Sequence, residues 1–117
     1  MSAGFNHIDV EEAKARKITL GHTPDVLTDS VAEINLALIL SCLRGIKKAE
    51  NSVTTGVWEQ NLFAGLGESL VGKTIGFLGL GRIGLETAKR LLPFKIGNIY
   101  YCNRSESSFA AEVRHYE

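Results

Sequence analysis

The chain has 117 residues, enough for one small domain or for part of a larger one. Lys and Arg together number 13, as do Asp and Glu, and 44% of residues are hydrophobic. This balance argues against a basic nucleic-acid surface and an acidic disordered tail, and it fits a globular protein.

Cys42 and Cys102 stand far apart without metal-ligand spacing and read as reduced thiols in a cytoplasmic protein. The first residues, SAGFNHIDVEEAK, have no basic or apolar leader region, so no signal peptide is expected. The longest apolar run, INLALILSCL, is interrupted by Asn35 and Ser41 and is too short to span a bilayer.

In chain order, Asp9 and Glu12 predict a capping box in front of a short exposed helix, VEEAKARK. ITLGH reads as a brief strand, and TPDVLTDS, with Pro24 and several cap-forming residues, as a connection. Ser30 and Glu33 predict a second capping box and a helix running to about Lys48. Its apolar residues lie on nearly every side, which calls for burial all round, against another domain or subunit. NSVTTGVWEQNLFAGLGESLVGK, with its lone Trp58, reads as an ordered loop or arm with little regular structure. KTIGFLGL is the best strand, its apolar run suited to burial on both faces. RIGLETAKRLL is a helix stopped by Pro93, with Lys89 and Arg90 suited to the negative end of its dipole. NIYYC is a second strand, and SSFAAEVRHY opens another helix. Strand, glycine turn, helix and strand make a βαβ unit with a parallel sheet.

The turn between them is Gly-x-Gly-x-x-Gly: Gly79, Gly81 and Gly84. Gly79 suits a tight turn at the strand end. Gly81 lets a pyrophosphate approach the backbone, and Gly84 lets the helix lie close to the strand. The helix N-terminus, at Arg82 and Ile83, offers free N–H groups and partial positive charge to phosphates, and Arg82 adds a full charge. The plain alternative is a glycine-rich turn that binds nothing; the flanking strand, helix and strand favour the nucleotide. In an NAD site an acid at the end of the second strand holds the ribose. Here that place holds Asn103, followed by Arg104 and Ser105. Arg104 suits pairing with the extra phosphate of NADP and Ser105 suits a hydrogen bond to it, so NADP(H) is preferred, with NAD(H) possible.

These stretches resemble the D-isomer-specific 2-hydroxyacid dehydrogenases, most of all the glyoxylate/hydroxypyruvate reductases among them. SAGFNHID is similar to the family's substrate loop, TPDVLTDSVAE to its interdomain hinge and following helix, TIGFLGLGRIG to its cofactor turn, and IYYCNR to its second strand. The chain departs from the pattern at Ala3, where valine is usual, at Phe77, bulkier than usual, and at Gly97, later than the glycine that commonly follows PF. The resemblance implies an α/β fold. Residues 1–27 would be the tail of a flavodoxin-like substrate lobe. Residues 28–117 would be the first half of a Rossmann-type, doubly wound NAD(P)-binding domain.

The resemblance also implies a reductase that transfers hydride from NADPH to glyoxylate or hydroxypyruvate. The substrate carboxylate would be held by backbone N–H groups of Ala3 and Gly4, with Ser2 alongside. The arginine, carboxylate and proton-donor histidine of the family would lie beyond the end of this chain, so none of His7, His22 and His115 is assigned a catalytic role. The expected molecule is a piece of a soluble enzyme, homodimeric when complete, with Trp58 in the interface and no nucleic-acid or membrane partner. Alone it would be poorly stable and without turnover, because half a parallel sheet leaves an edge and a face uncovered. An NAD(P)-sensing module of the corepressor kind, or a dehydrogenase for another 2-hydroxy acid, are the competing readings.

Overall fold

A computed structural model describes residues 3–57 and 66–114. Met1, Ser2, Trp58 and His115 therefore lie outside the described residues, and so does the expectation of Trp58 as an interface anchor.

The chain opens with α1, Val10–Ala15, where the Asp9 carboxylate accepts a hydrogen bond from the Glu12 N–H at 2.9 Å. This is half of the expected capping box, because the Glu12 side chain turns instead to Arg16. The expected strand ITLGH is absent. Residues 18–24 are irregular, and no strand among the described residues pairs with them.

The long helix is two helices. α2 is Thr28–Leu43 and α3 is Ile46–Thr55. Gly45, at φ +60°, takes the left-handed conformation that separates them. The returning chain enforces the break: Glu68 N–H donates to the Leu43 carbonyl at 2.8 Å. Gly67 packs so tightly there that a Cβ on it would lie 2.4 Å from Arg44 Cα. The stretch NSVTT, expected in a loop, is thus the end of α3, closed by Gly56 at φ +69°. The second capping box also fails. α2 begins two residues before Ser30, with Leu27 at its N-cap and no side-chain cap.

The sheet is β1, Ile75–Leu78, paired in parallel with β2, Ile99–Cys102, with Ile75 opposite Ile99 and Leu78 opposite Cys102. Between them runs α4, Arg82–Leu91, the βαβ unit expected from the sequence. Pro93 lies in a single 3₁₀ turn, Leu92–Phe94, that ends α4. Lys95 follows at φ +56°, carrying the left-handed conformation that a glycine adopts without strain. Gly97 answers a different need: a Cβ there would lie 2.7 Å from the Gly72 carbonyl oxygen. α5, Ala110–Arg114, closes the described chain.

The core lies where α4 sits on the strands and against α2. Leu80, Leu85, Ala88 and Leu91 are buried there, with Ala32 from α2. Spacing of three to four residues puts the α4 members on one helix face. A polar tie crosses the same contact. Asn35 Nδ2 donates to Thr87 Oγ1 at 3.1 Å, and Thr87 Oγ1 donates to the Ile83 carbonyl at 2.8 Å. At its rim Arg90 bonds both Asp29 and Glu86, while Lys89 reaches Glu86 and Glu112. Lys89 and Arg90 hold the Glu86 carboxyl below its ordinary range.

β1 is covered on one face only, against the expectation of burial on both. Ile75 and Phe77 are half-buried, whereas Leu78 is 94% exposed. Gly76, Leu78, Tyr100 and Cys102, which share the other face, are all exposed. Likewise Ile34 and Leu38 of α2 are about 60% exposed. The radius of gyration, 19.8 Å, compares with about 13 Å for a compact domain of this length. Apart from the core at α4, much apolar surface stays exposed among the described residues.

Candidate functional site

The glycine turn joins the end of β1 to the start of α4. Gly79 stands at φ +99°, a conformation that side chains other than hydrogen rarely allow, and its N–H still bonds the Cys102 carbonyl at 2.9 Å. Nothing lies within 4 Å of where a Cβ of Gly81 would stand, so the space before the helix is open. At Gly84 the reverse holds: a Cβ would meet the Gly79 carbonyl oxygen at 2.7 Å. The three glycines thus serve three needs: a turn, an open approach and close packing. The first-turn N–H groups of α4 have no partner within the helix, and they meet that open space with the positive end of its dipole.

Leu80, between the first two glycines, is anchored from the other side. Its N–H donates to Asn103 Oδ1 at 2.7 Å, and its carbonyl accepts from Ser107 Oγ at 2.6 Å. Asn103 sits at the end of β2, the position expected to face the ribose, but its amide is turned into the glycine turn. Arg104 and Ser105 follow it, exposed, and neither side chain makes an ion pair or hydrogen bond among the described residues.

A cleft of about 590 Å³ has the glycine turn on one wall and Ala3, Phe5 and His22 on the other. Residues 76 positions apart in sequence, Ala3 and Gly79, thus come to one opening. Gly4 lines an adjoining cleft of about 620 Å³ instead, together with His7. Arg82 is not aimed freely at this space. Its guanidinium pairs with Asp25 of the connection between α1 and α2, and Asp25 itself holds φ +68°. Asn103, Arg104 and Ser105 lie outside both clefts.

Three residues here escaped the sequence reading. His22, expected to end a strand, has Nδ1 3.0 Å from the Ala3 carbonyl oxygen and its ring edge-on to Phe5, with centroids 5.2 Å apart. As Nδ1–H donor it fixes the loop bearing Ala3. Asp25 follows Pro24, and Pro-Asp is a turn signal with tolerance for positive φ. Nothing local marks Ser107 as reaching back 27 residues to Leu80. Among the described residues no group of His, Cys, Asp and Glu is placed to hold a metal ion.

The family description "D-isomer specific 2-hydroxyacid dehydrogenase, NAD binding domain" matches residues 36–117. The chain belongs to the D-isomer-specific 2-hydroxyacid dehydrogenases.

It is 50% identical over 102 residues to a glyoxylate reductase of Thermofilum pendens, covering 86% of this chain and 30% of that protein. Among solved structures it is similar to the NADPH-dependent glyoxylate/hydroxypyruvate reductase of Sinorhizobium meliloti, crystallised with NADP and malonate. The TM-score there is 0.74 at 40% identity, over 92% of this chain and 34% of that one. The D-lactate dehydrogenase of Aquifex aeolicus, with NAD and lactic acid, gives 0.80 at 29% identity, over 98% and 33%. The chain spans about a third of the length of these dehydrogenases. Members of one fold therefore carry NADP in one case and NAD in the other. A nicotinamide cofactor is common to both, and the glycine turn, with its open approach at Gly81, fits one.

Proposed function

We propose that this chain supplies the hinge and the first half of the cofactor domain of an NADPH-dependent 2-oxo acid reductase. Its substrates are glyoxylate and hydroxypyruvate, reduced to glycolate and D-glycerate. Residues 1–27 are the tail of the substrate lobe, and residues 28–117 begin the Rossmann domain. The bound cofactor supplies a hydride for the substrate's keto carbon. The residues of this chain bind and orient. Gly81, Ile83 and Gly84 let the pyrophosphate reach the first turn of α4, and Arg82 exchanges its Asp25 partner for phosphate oxygen. Ala3, steadied by His22, and Gly4, from the adjoining cleft, present backbone N–H groups to the substrate carboxylate.

The observation that carries the cofactor choice is at the end of β2. Arg104 is exposed and without an ion-pair partner among the described residues, and the neighbouring acid position holds Asn103, which spends its amide on Leu80. A carboxylate there would repel a 2′-phosphate; a free guanidinium beside Ser105 attracts one. The exposed apolar residues of α2, Ile34 and Leu38, support a homodimer through that face.

The test is kcat/KM with hydroxypyruvate for NADPH against NADH, in the complete protein that carries this chain and in its Arg104→Ala variant. The expected result is a preference for NADPH that falls at least about tenfold on substitution, the loss of a charge-assisted hydrogen-bonded pair. Equal use of the two cofactors by the parent overturns the choice of NADPH while leaving the family untouched. NADPH binding by the complete protein without turnover overturns the enzymatic reading and favours a sensor.

A further inference from the structure

We propose that Ser107, acting with Asn103, is a positioning residue that sets the spacing between the two ends of the dinucleotide site. This rests on the NADPH reading above.

The Leu80 peptide lies past the last residue of β1 and before the first of α4, so neither ladder nor helix supplies partners for its N–H and C=O. Its side chain is 1% exposed, and unpaired backbone groups at such a place are costly. The partners come from one loop, and they come from its two feet. At the first foot Cys102 accepts from the Gly79 N–H at 2.9 Å, and Asn103 Oδ1 accepts from the Leu80 N–H at 2.7 Å. At the second, Ser107 Oγ donates to the Leu80 carbonyl at 2.6 Å. Between the feet stand Arg104, Ser105 and Glu106, all exposed and with no side-chain bond among the described residues.

A loop pinned at both feet to the glycine turn presents Arg104 and Ser105 at a fixed separation from the first turn of α4. A dinucleotide that touches the loop with its 2′-phosphate and the turn with its pyrophosphate benefits from that fixed separation, as a two-point ligand does. A ligand touching only one of the two does not. Ser107 also accepts from the Phe109 N–H at 3.2 Å, just before α5, so a purely structural role in that turn is the contrary case to separate.

The experiment measures Kd for NADPH and for adenosine 2′-monophosphate in the protein, Ser107→Ala and Ser107→Thr, by calorimetric titration. Ser107→Ala is expected to weaken NADPH about tenfold, from the lost preorganisation of the loop, and adenosine 2′-monophosphate by less than about twofold. Ser107→Thr, which keeps the hydroxyl donor, is expected to restore NADPH binding. Asn103→Ala, which frees the other foot, is expected to give the same split between the ligands if Ser107→Ala fails to fold. Equal loss for both ligands overturns the inference, since the residue then acts on the loop's own fold. NADPH affinity unchanged in Ser107→Ala, or unrestored by threonine, overturns it too. If the unsubstituted protein binds neither ligand, the cofactor reading falls and this inference with it; if the parent binds both, failure belongs to the inference alone.

Discussion

Replacing Gly84 by alanine and, separately, Gly81 by alanine places the same methyl group three residues apart in one turn, with opposite expected results. At Gly84 the new Cβ would stand 2.7 Å from the Gly79 carbonyl oxygen. That oxygen cannot yield easily, because Gly79 sits at φ +99° and its N–H is fixed to Cys102. Forcing a methyl group into a packed contact costs about 1–3 kcal/mol. Alanine within a helix gains back about 1 kcal/mol over glycine. The net expectation is a loss of up to about 2 kcal/mol, read as a lower urea midpoint at unchanged slope. At Gly81 the backbone is extended, φ −96° and ψ −163°, and no atom lies within 4 Å of the new methyl. Stability should change by less than about 0.5 kcal/mol. NADPH titration should instead weaken, because the methyl fills the approach to the first turn of α4. A Gly84→Ala protein more stable than the parent would refute the close-packing argument. A Gly81→Ala protein that binds NADPH unchanged would refute the open approach as the phosphate site.

Lys95→Gly is expected to stabilise by about 0.5–1 kcal/mol in urea unfolding, since it relieves a left-handed lysine at φ +56° while adding chain entropy to the unfolded state. Thr87→Val keeps shape at a site 2% exposed but strands the Asn35 amide, and should cost about 1–2 kcal/mol; adding Asn35→Leu should recover most of it. Glu86 is held below the ordinary carboxylate value of 4.5, first by its hydrogen bond to Lys89 and then by Arg90. A carboxyl lowered in the folded state stabilises fully above its unfolded value, and that contribution is lost as pH falls through the folded one. Unfolding free energy should therefore decline on acidification below pH 4.5, and Glu86→Gln should flatten that decline.

The glycine turn was legible from sequence because its determinants are local: one residue at positive φ, one with open space, one in contact, all within six positions. The helix stop at Pro93 and the Asp9 cap were legible for the same reason, since each acts through its own backbone neighbours. What the sequence misread depended on distant chain. ITLGH has strand-like residues, but a strand exists only with a partner to pair with. The break at Gly45 falls just beyond an apolar run that reads as one helix, and it is set by Gly67 and Glu68 arriving at the end of α2.

Sequence alone also placed Asn103, Arg104 and Ser105 at the end of the second strand, by counting from the glycines. It could not tell which way Asn103 turns, because that depends on the unpaired peptide at Leu80 across the turn. Tertiary structure alone brought Ala3 and His22 to face Gly79, paired Arg82 with Asp25, and joined Ser107 to Leu80. The bonds His22–Ala3, Arg82–Asp25 and Ser107–Leu80 join residues 19, 57 and 27 positions apart. Local propensity fixes elements, but such contacts form only once the elements are docked, so the chemistry of the turn was readable in advance and its supports were not.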